Sequence, residues 1–181
     1  MSNKKTKTDN PNNQVQRVQK HHYREEYLVQ VTIMEARQLK GKDSSGTSDP
    51  FVKITVGNLP PQVTTTAYGA ASAFWNKSFT FTNLFINDME FEKFEILIEV
   101  IDMNKFATNS LIGRYSVGLA TLYRSSNHEL YNTWLALTHP SSDLEPQGFL
   151  LVSAYIVGTE DRPPVHAINE IVYFDEEPDE V

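Results

Sequence analysis

From Tyr27 onward the chain changes from a polar, amide-rich run to a strict alternation. Val29, Val31 and Ile33 fall on one side and Leu28, Gln30, Thr32, Met34 and Ala36 on the other. A period of two over this length predicts a strand, which runs to Leu39. Phe51–Val56 predicts the next strand, stopped by Gly57 and Pro60-Pro61. Val63–Tyr68 is β-branched and Thr-rich, and Gly69-Ala70-Ala71-Ser72 then turns the chain. Phe74–Phe81, Phe94–Ile101, Leu111–Leu119, Trp134–Leu137 and Phe149–Val157 complete a set of eight short strands. Ala120–Leu130 is the one stretch that predicts a short helix. Turn residues interrupt these runs at short intervals, and no segment between them is long enough for a helical crossover. That pattern points to an all-β, antiparallel β-sandwich rather than a parallel sheet. Trp75, Phe79, Phe81 and Trp134 sit at strand spacing and are expected in its core.

Length and charge then set the domain organisation. The 181 residues hold one ordinary domain with tails. Residues 1–24 carry six Lys/Arg against the single acid Asp9 and read as a disordered basic arm. Residues 25–158 form the domain, and 159–181, where Asp161-Arg162-Pro163-Pro164 leads into Asp175–Val181, read as an acidic tail. The middle of the chain, 25–159, carries a net charge of −5, a poor balance for a nucleic-acid binder, which needs a basic face toward phosphates. There are no cysteines, which excludes disulfides, thiolate metal sites and a cysteine nucleophile. Met1–Lys20 has no apolar h-region and does not read as a signal peptide, and no run approaches the roughly 18 apolar residues of a membrane span. The Asn76-Lys77-Ser78 sequon lies inside a strand-like run and is discounted. The five histidines are scattered, and neither a nucleophile elbow nor a Gly-rich phosphate loop is present. An enzyme is not expected.

The candidate chemistry lies in two polar, turn-rich segments wedged between strands. These are Asp43-Ser44-Ser45-Gly46-Thr47-Ser48-Asp49-Pro50 and Asp102-Met103-Asn104-Lys105-Phe106. Carboxylates crowded at strand ends repel one another, and a fold retains them where a cation or a set of donors compensates. The second segment is not an EF-hand. Phe106 stands where an oxygen ligand belongs, Ala107 replaces the turn glycine, and Gly113 falls where a bidentate Glu is needed. Two loops facing each other across one end of a sandwich would instead set Asp43 and Asp49 against Asp102 and Asn104. The alternative is that these aspartates accept backbone N–H groups and simply cap turns.

At these residues the chain resembles a C2 domain. Leu39–Val52 matches the family's first calcium loop, and Phe74-Trp75-Asn76-Lys77-Ser78-Phe79-Thr80-Phe81 resembles its Pro-x-Trp-Asn-Glu-x-Phe-x-Phe strand, with Ala73 and Lys77 departing. Val100-Ile101-Asp102 and Leu111-Ile112-Gly113 match its third loop and the strand that follows. Gly148–Tyr155 resembles the strand that opens the fold in one topology. Here it comes last, which implies the circularly permuted, type II order of an eight-stranded antiparallel Greek-key sandwich. The end of the domain, Trp134–Pro140 together with Val157–Pro164, is similar to that of a ferlin C2 domain.

The resemblance places the family's five calcium-binding aspartates on Asp43, Asp49, Asp102, Asn104 and Ser110. Three are kept. Asn104 keeps an oxygen without charge, and Ser110 offers one short hydroxyl. Charge for about one weakly held calcium ion, or none, is therefore expected. Lys105 and Phe106 match the basic residue and phenylalanine that enter lipid in synaptotagmin-like members, whereas the first loop offers only Ser44 and Ser45 at its tip. The implied function is a C2 membrane-targeting module that binds anionic phospholipid with weak calcium dependence, in membrane trafficking or fusion. It would be cytoplasmic, peripheral at membranes and monomeric. The rival is a calcium-independent protein-interaction or scaffold domain, favoured by the two lost aspartates and by lysine-poor concave strands.

Overall fold

The computed structural model describes residues 23–41, 47–141 and 145–166. Eight strands form two four-stranded antiparallel sheets packed face to face. They are β1 (Glu25–Arg37), β2 (Pro50–Val56), β3 (Gln62–Val63), β4 (Ala73–Ile86), β5 (Glu95–Asp102), β6 (Ser110–Gly118), β7 (Glu129–Ala136) and β8 (Phe149–Gly158). One sheet has the order β4-β1-β8-β7 and the other β3-β2-β5-β6. The last strand lies between β1 and β7, the placement the permuted topology requires.

The alternation read from the sequence becomes the core. Val29, Val31, Ile33, Phe79, Phe81, Val152 and Ile156 of one sheet face Val52, Ile54, Val56, Ile96, Ile98, Val100 and Ile112 of the other, all buried. Each such aliphatic side chain contributes about 1.5–3 kcal/mol relative to exposure. In β1 the phase slips: a register shift between Ile33 and Glu35 moves the next inward position to Ala36 and leaves Glu35 paired with Arg37 at 2.6 Å. Trp134 departs from the expected core placement. It is 40% exposed, and the Arg37 guanidinium lies 4.9 Å from its ring centre, so cation–π stacking substitutes for burial.

The helical content also differs from expectation. The stretch over Ala120–Leu130 is a five-residue helix α2 (Leu119–Tyr123), a 3-10 turn (Ser126–His128) and the start of β7, because Asn127 and His128 adopt positive φ. A second helix, α1 (Asp88–Lys93), was not anticipated. Asn87 Oδ1 accepts from the N–H groups of Met89 and Glu90, and Glu90 Oε2 accepts from Asn87 N–H, a complete capping box. Asn87→Ala is expected to cost about 1 kcal/mol and lower the melting temperature by a few degrees. An unchanged thermal melt would show that this helix does not unfold with the domain.

Residues expected in the arm and the tail are partly fixed on the domain. Residues 1–22 and 167–181 lie outside the described residues. Arg24 donates to Glu90 and to the Phe85 carbonyl. Asp161 accepts from Gly158 N–H and from the Tyr123 hydroxyl, both at 2.8 Å. These donors hold the Asp161 carboxyl below its usual range, and the same hydrogen bond raises the Tyr123 hydroxyl.

The base of the loop between β1 and β2 is held by a close approach. Gly148, with φ +135°, brings β8's entry so near that a Cβ there would lie 2.8 Å from Leu39 Cδ2 and 3.0 Å from Leu39 Cα. Beside it, Lys40 N–H donates to the Gln147 carbonyl at 2.9 Å.

Candidate functional site

Strand register assembles the site. Pro50 at the start of β2 is the partner of Asp102 at the end of β5, and Asp102 is the partner of Ser110 at the start of β6. The three residues thus lie side by side at one end of one sheet. The segments leaving them are the β1–β2 loop, the β5–β6 loop and, from β3, the loop to β4.

The two described aspartates meet. Asp102, only 6% exposed, accepts through Oδ1 the backbone N–H of Asp49 at 2.7 Å, and Met103 N–H donates to the Asp49 carbonyl at 2.9 Å. This reciprocal pair ties the first loop to the third. Asp49 Oδ1 in turn accepts Gly69 N–H at 2.7 Å, and Ala70 N–H donates to the Ser48 carbonyl at 2.8 Å, which ties in the β3–β4 loop. Each carboxylate accepts a backbone N–H through its Oδ1. The arrangement concentrates negative charge while offsetting part of it with peptide dipoles. Asp43 lies outside the described residues, and among the described residues no group of three His, Cys, Asp or Glu converges.

Asn104 is engaged differently. Its Oδ1 accepts the N–H groups of Phe106 at 3.0 Å and Ala107 at 3.1 Å, and its own N–H donates to Asn109 Oδ1 at 2.9 Å. The side-chain oxygen thus folds the loop tip as an Asx turn. Ser110 is exposed. The turn presents Phe106, which is 99% exposed, while the Lys105 ammonium lies 5.0 Å from the ring centre of Tyr68. Sequence reasoning named Asp49, Asp102, Asn104, Lys105, Phe106 and Ser110 at this end, and it missed three participants. Asn109, Tyr68 and Gly69 act through a side-chain acceptor, a ring face and a backbone N–H. The only sequence signal for any of them was the Gly69 turn.

On the β3-β2-β5-β6 sheet, Lys53 is paired with Glu99 at 2.9 Å, which offsets its positive charge. No helix among the described residues is long and apolar enough to cross a membrane.

A sandwich of this strand order with acidic loops gathered at one end is a C2 domain. The C2 domain family matches residues 27–137, and the chain belongs to it. Within the family it is ferlin-like. It is 63% identical over 147 residues to Ferlin 2 of Tetrahymena thermophila, an alignment covering 81% of this chain and 9% of that protein. It is 25% identical over 142 residues to Myoferlin of Xenopus tropicalis, covering 78% and 7% respectively. The chain therefore spans less than a tenth of either relative. Among solved structures, a C2 domain of plant Extended Synaptotagmin 1 is similar with a TM-score of 0.57 at 22% identity, covering 77% of this chain and 96% of that one, a likeness of fold.

Proposed function

We propose that this chain is a non-enzymatic, membrane-targeting C2 module that docks on anionic phospholipid through its loop end, with weak calcium dependence. The observation that carries the reading is Phe106, fully exposed beside Lys105 on a tip folded by the Asn104 turn. An aromatic side chain gains nothing from water in that position and gains its burial energy in a lipid interface. Asp49 and Asp102, joined by Asp43, supply charge for about one calcium ion. Ser110 and Asn104 contribute at most neutral oxygens, and Asn104 only if its turn opens. The ion acts electrostatically: it reduces the negative potential that otherwise repels an anionic bilayer from the tip.

A second reading has a specific observation in its favour. The Asp49 and Asp102 carboxylates each already accept a backbone N–H. Peptide donors thus offset part of the charge of both carboxylates, the compensation on which a calcium-independent interaction or scaffold domain would rely.

Co-sedimentation with phosphatidylserine vesicles, in calcium and in chelator, separates the two. Asp102→Asn retains the acceptor for Asp49 N–H and removes the charge. It is expected to weaken calcium-dependent binding by about tenfold or more, the effect of one unit charge at contact in a partly solvated site. Calcium-dependent binding identical to that of the unaltered chain would rule out the calcium mechanism.

A further inference from the structure

We infer that the loop between β3 and β4 is a second lipid contact, with Tyr68 as its anchor. Tyr68 would take the headgroup–acyl boundary of an anionic bilayer next to Phe106. The inference rests on the lipid-docking reading and extends it to a loop whose sequence holds no acid, no Lys or Arg, and no counterpart to the Lys105-Phe106 pair.

Three observations support it. Tyr68 is 63% exposed, so its ring is not held at the surface by burial. The loop is fastened to the acidic centre through Gly69 N–H on Asp49 Oδ1 and through the Ala70–Ser48 bridge, so its height at the sandwich end is set by the same residues that set the third loop. Lys105, which forms no ion pair among the described residues, lies over the Tyr68 ring, so two loops present one contiguous unit of ring and ammonium.

A phenol ring with a cation on its face is chemically suited to a lipid interface. The ring body enters the apolar boundary, the hydroxyl stays with the ester and phosphate oxygens, and the ammonium meets an anionic headgroup. A protein partner would need complementary acids and a pocket for both aromatics, and nothing on this surface selects for that. Tyr68 is also a positioning residue, because its ring fixes where the Lys105 charge stands.

The test uses the full 181-residue chain and vesicles of phosphatidylcholine and phosphatidylserine, in calcium and in chelator. Tyr68→Ala is expected to melt like the unaltered chain and to partition about three- to tenfold more weakly, in the range of one interfacial aromatic and its cation–π partner. Tyr68→Phe keeps the ring face and is expected to retain most of the binding. Phe85→Ala, an exposed aromatic on the part of β4 paired with Glu26, is expected to change nothing. Because the chain has no cysteine, Ala71→Cys, exposed in the same loop and leaving Tyr68 in place, gives a single site for an environment-sensitive fluorophore. Lipid-borne nitroxide should quench it on binding. If Phe106→Ala weakens binding but Tyr68→Ala does not and the label stays unquenched, the second contact is wrong and the lipid reading stands. Weakened binding by Tyr68→Ala with an unquenched label also overturns the contact, leaving Tyr68 only to position Lys105. If the unaltered chain fails to bind vesicles in either condition, both inferences fall.

Discussion

Phe106→Ala is expected to leave the melting temperature unchanged and to reduce partitioning onto phosphatidylserine vesicles by about ten- to a hundredfold. The two halves of this expectation have separate causes. At 99% exposure the side chain contributes no packing, so the folded state loses nothing when it is truncated. Transferring a phenylalanine from water to an apolar environment is worth about 1.5–3 kcal/mol, and every 1.4 kcal/mol is a factor of ten in binding. Asn104→Ala provides the companion measurement. It leaves the phenylalanine in place and removes the acceptor that folds the tip, so binding should weaken while an aromatic remains available. Vesicle binding unaffected by Phe106→Ala would remove the main support for a membrane-docking role.

The second large effect is on stability. Gly148→Ala places a methyl group 2.8 Å from Leu39 Cδ2, 3.0 Å from Leu39 Cα and 3.1 Å from the Gln38 carbonyl, at a φ of +135° that side chains rarely adopt. Two of the three neighbours are backbone atoms, which cannot rotate away. Overpacking and a disfavoured backbone together are expected to cost about 2–5 kcal/mol, seen as a melting temperature lower by roughly 5–15 °C. The strain falls on Leu39 and Gln38, at the root of the loop that leads to Asp49, so calcium-dependent binding should weaken in the population that still folds. A melting curve matching that of the unaltered chain would mean that Leu39 moves aside freely and that the loop base is not tightly held.

Most of the fold was legible because burial alternates with a period of two through β2 and β5 and along most of β1 and β8. Where that period breaks, the sequence misleads. The slip between Ile33 and Glu35 puts Ala36 inside, although simple alternation assigns it to the other face. Trp134 looked like a core residue because hydrophobicity alone does not register the Arg37 guanidinium beside it. Helix α1 escaped notice because Asp-Met-Glu-Phe-Glu-Lys alternates like a strand over six residues, and only the Asn87–Glu90 cap distinguishes it. The site divides along the same line. Acidic turns bounded by strands announced Asp49 and Asp102, whose proximity follows from strand register. The use of Asn104 Oδ1 by two backbone N–H groups could not be read, because an asparagine in a loop has the same letter whether its oxygen faces an ion or its own chain. Tyr68 was invisible for a related reason: its ring meets Lys105, a neighbour far along the chain.

The pairing of Tyr27 with Gly158 has a mechanical consequence. Both chain connections of the sandwich leave at the end remote from the acidic loops, and β1 and β8 run antiparallel from that point. Tension applied across the two connections would open this strand pair like a zipper, loading its hydrogen bonds one after another rather than all together. The loop end meanwhile hangs free of the load and can meet a surface without being drawn out of shape.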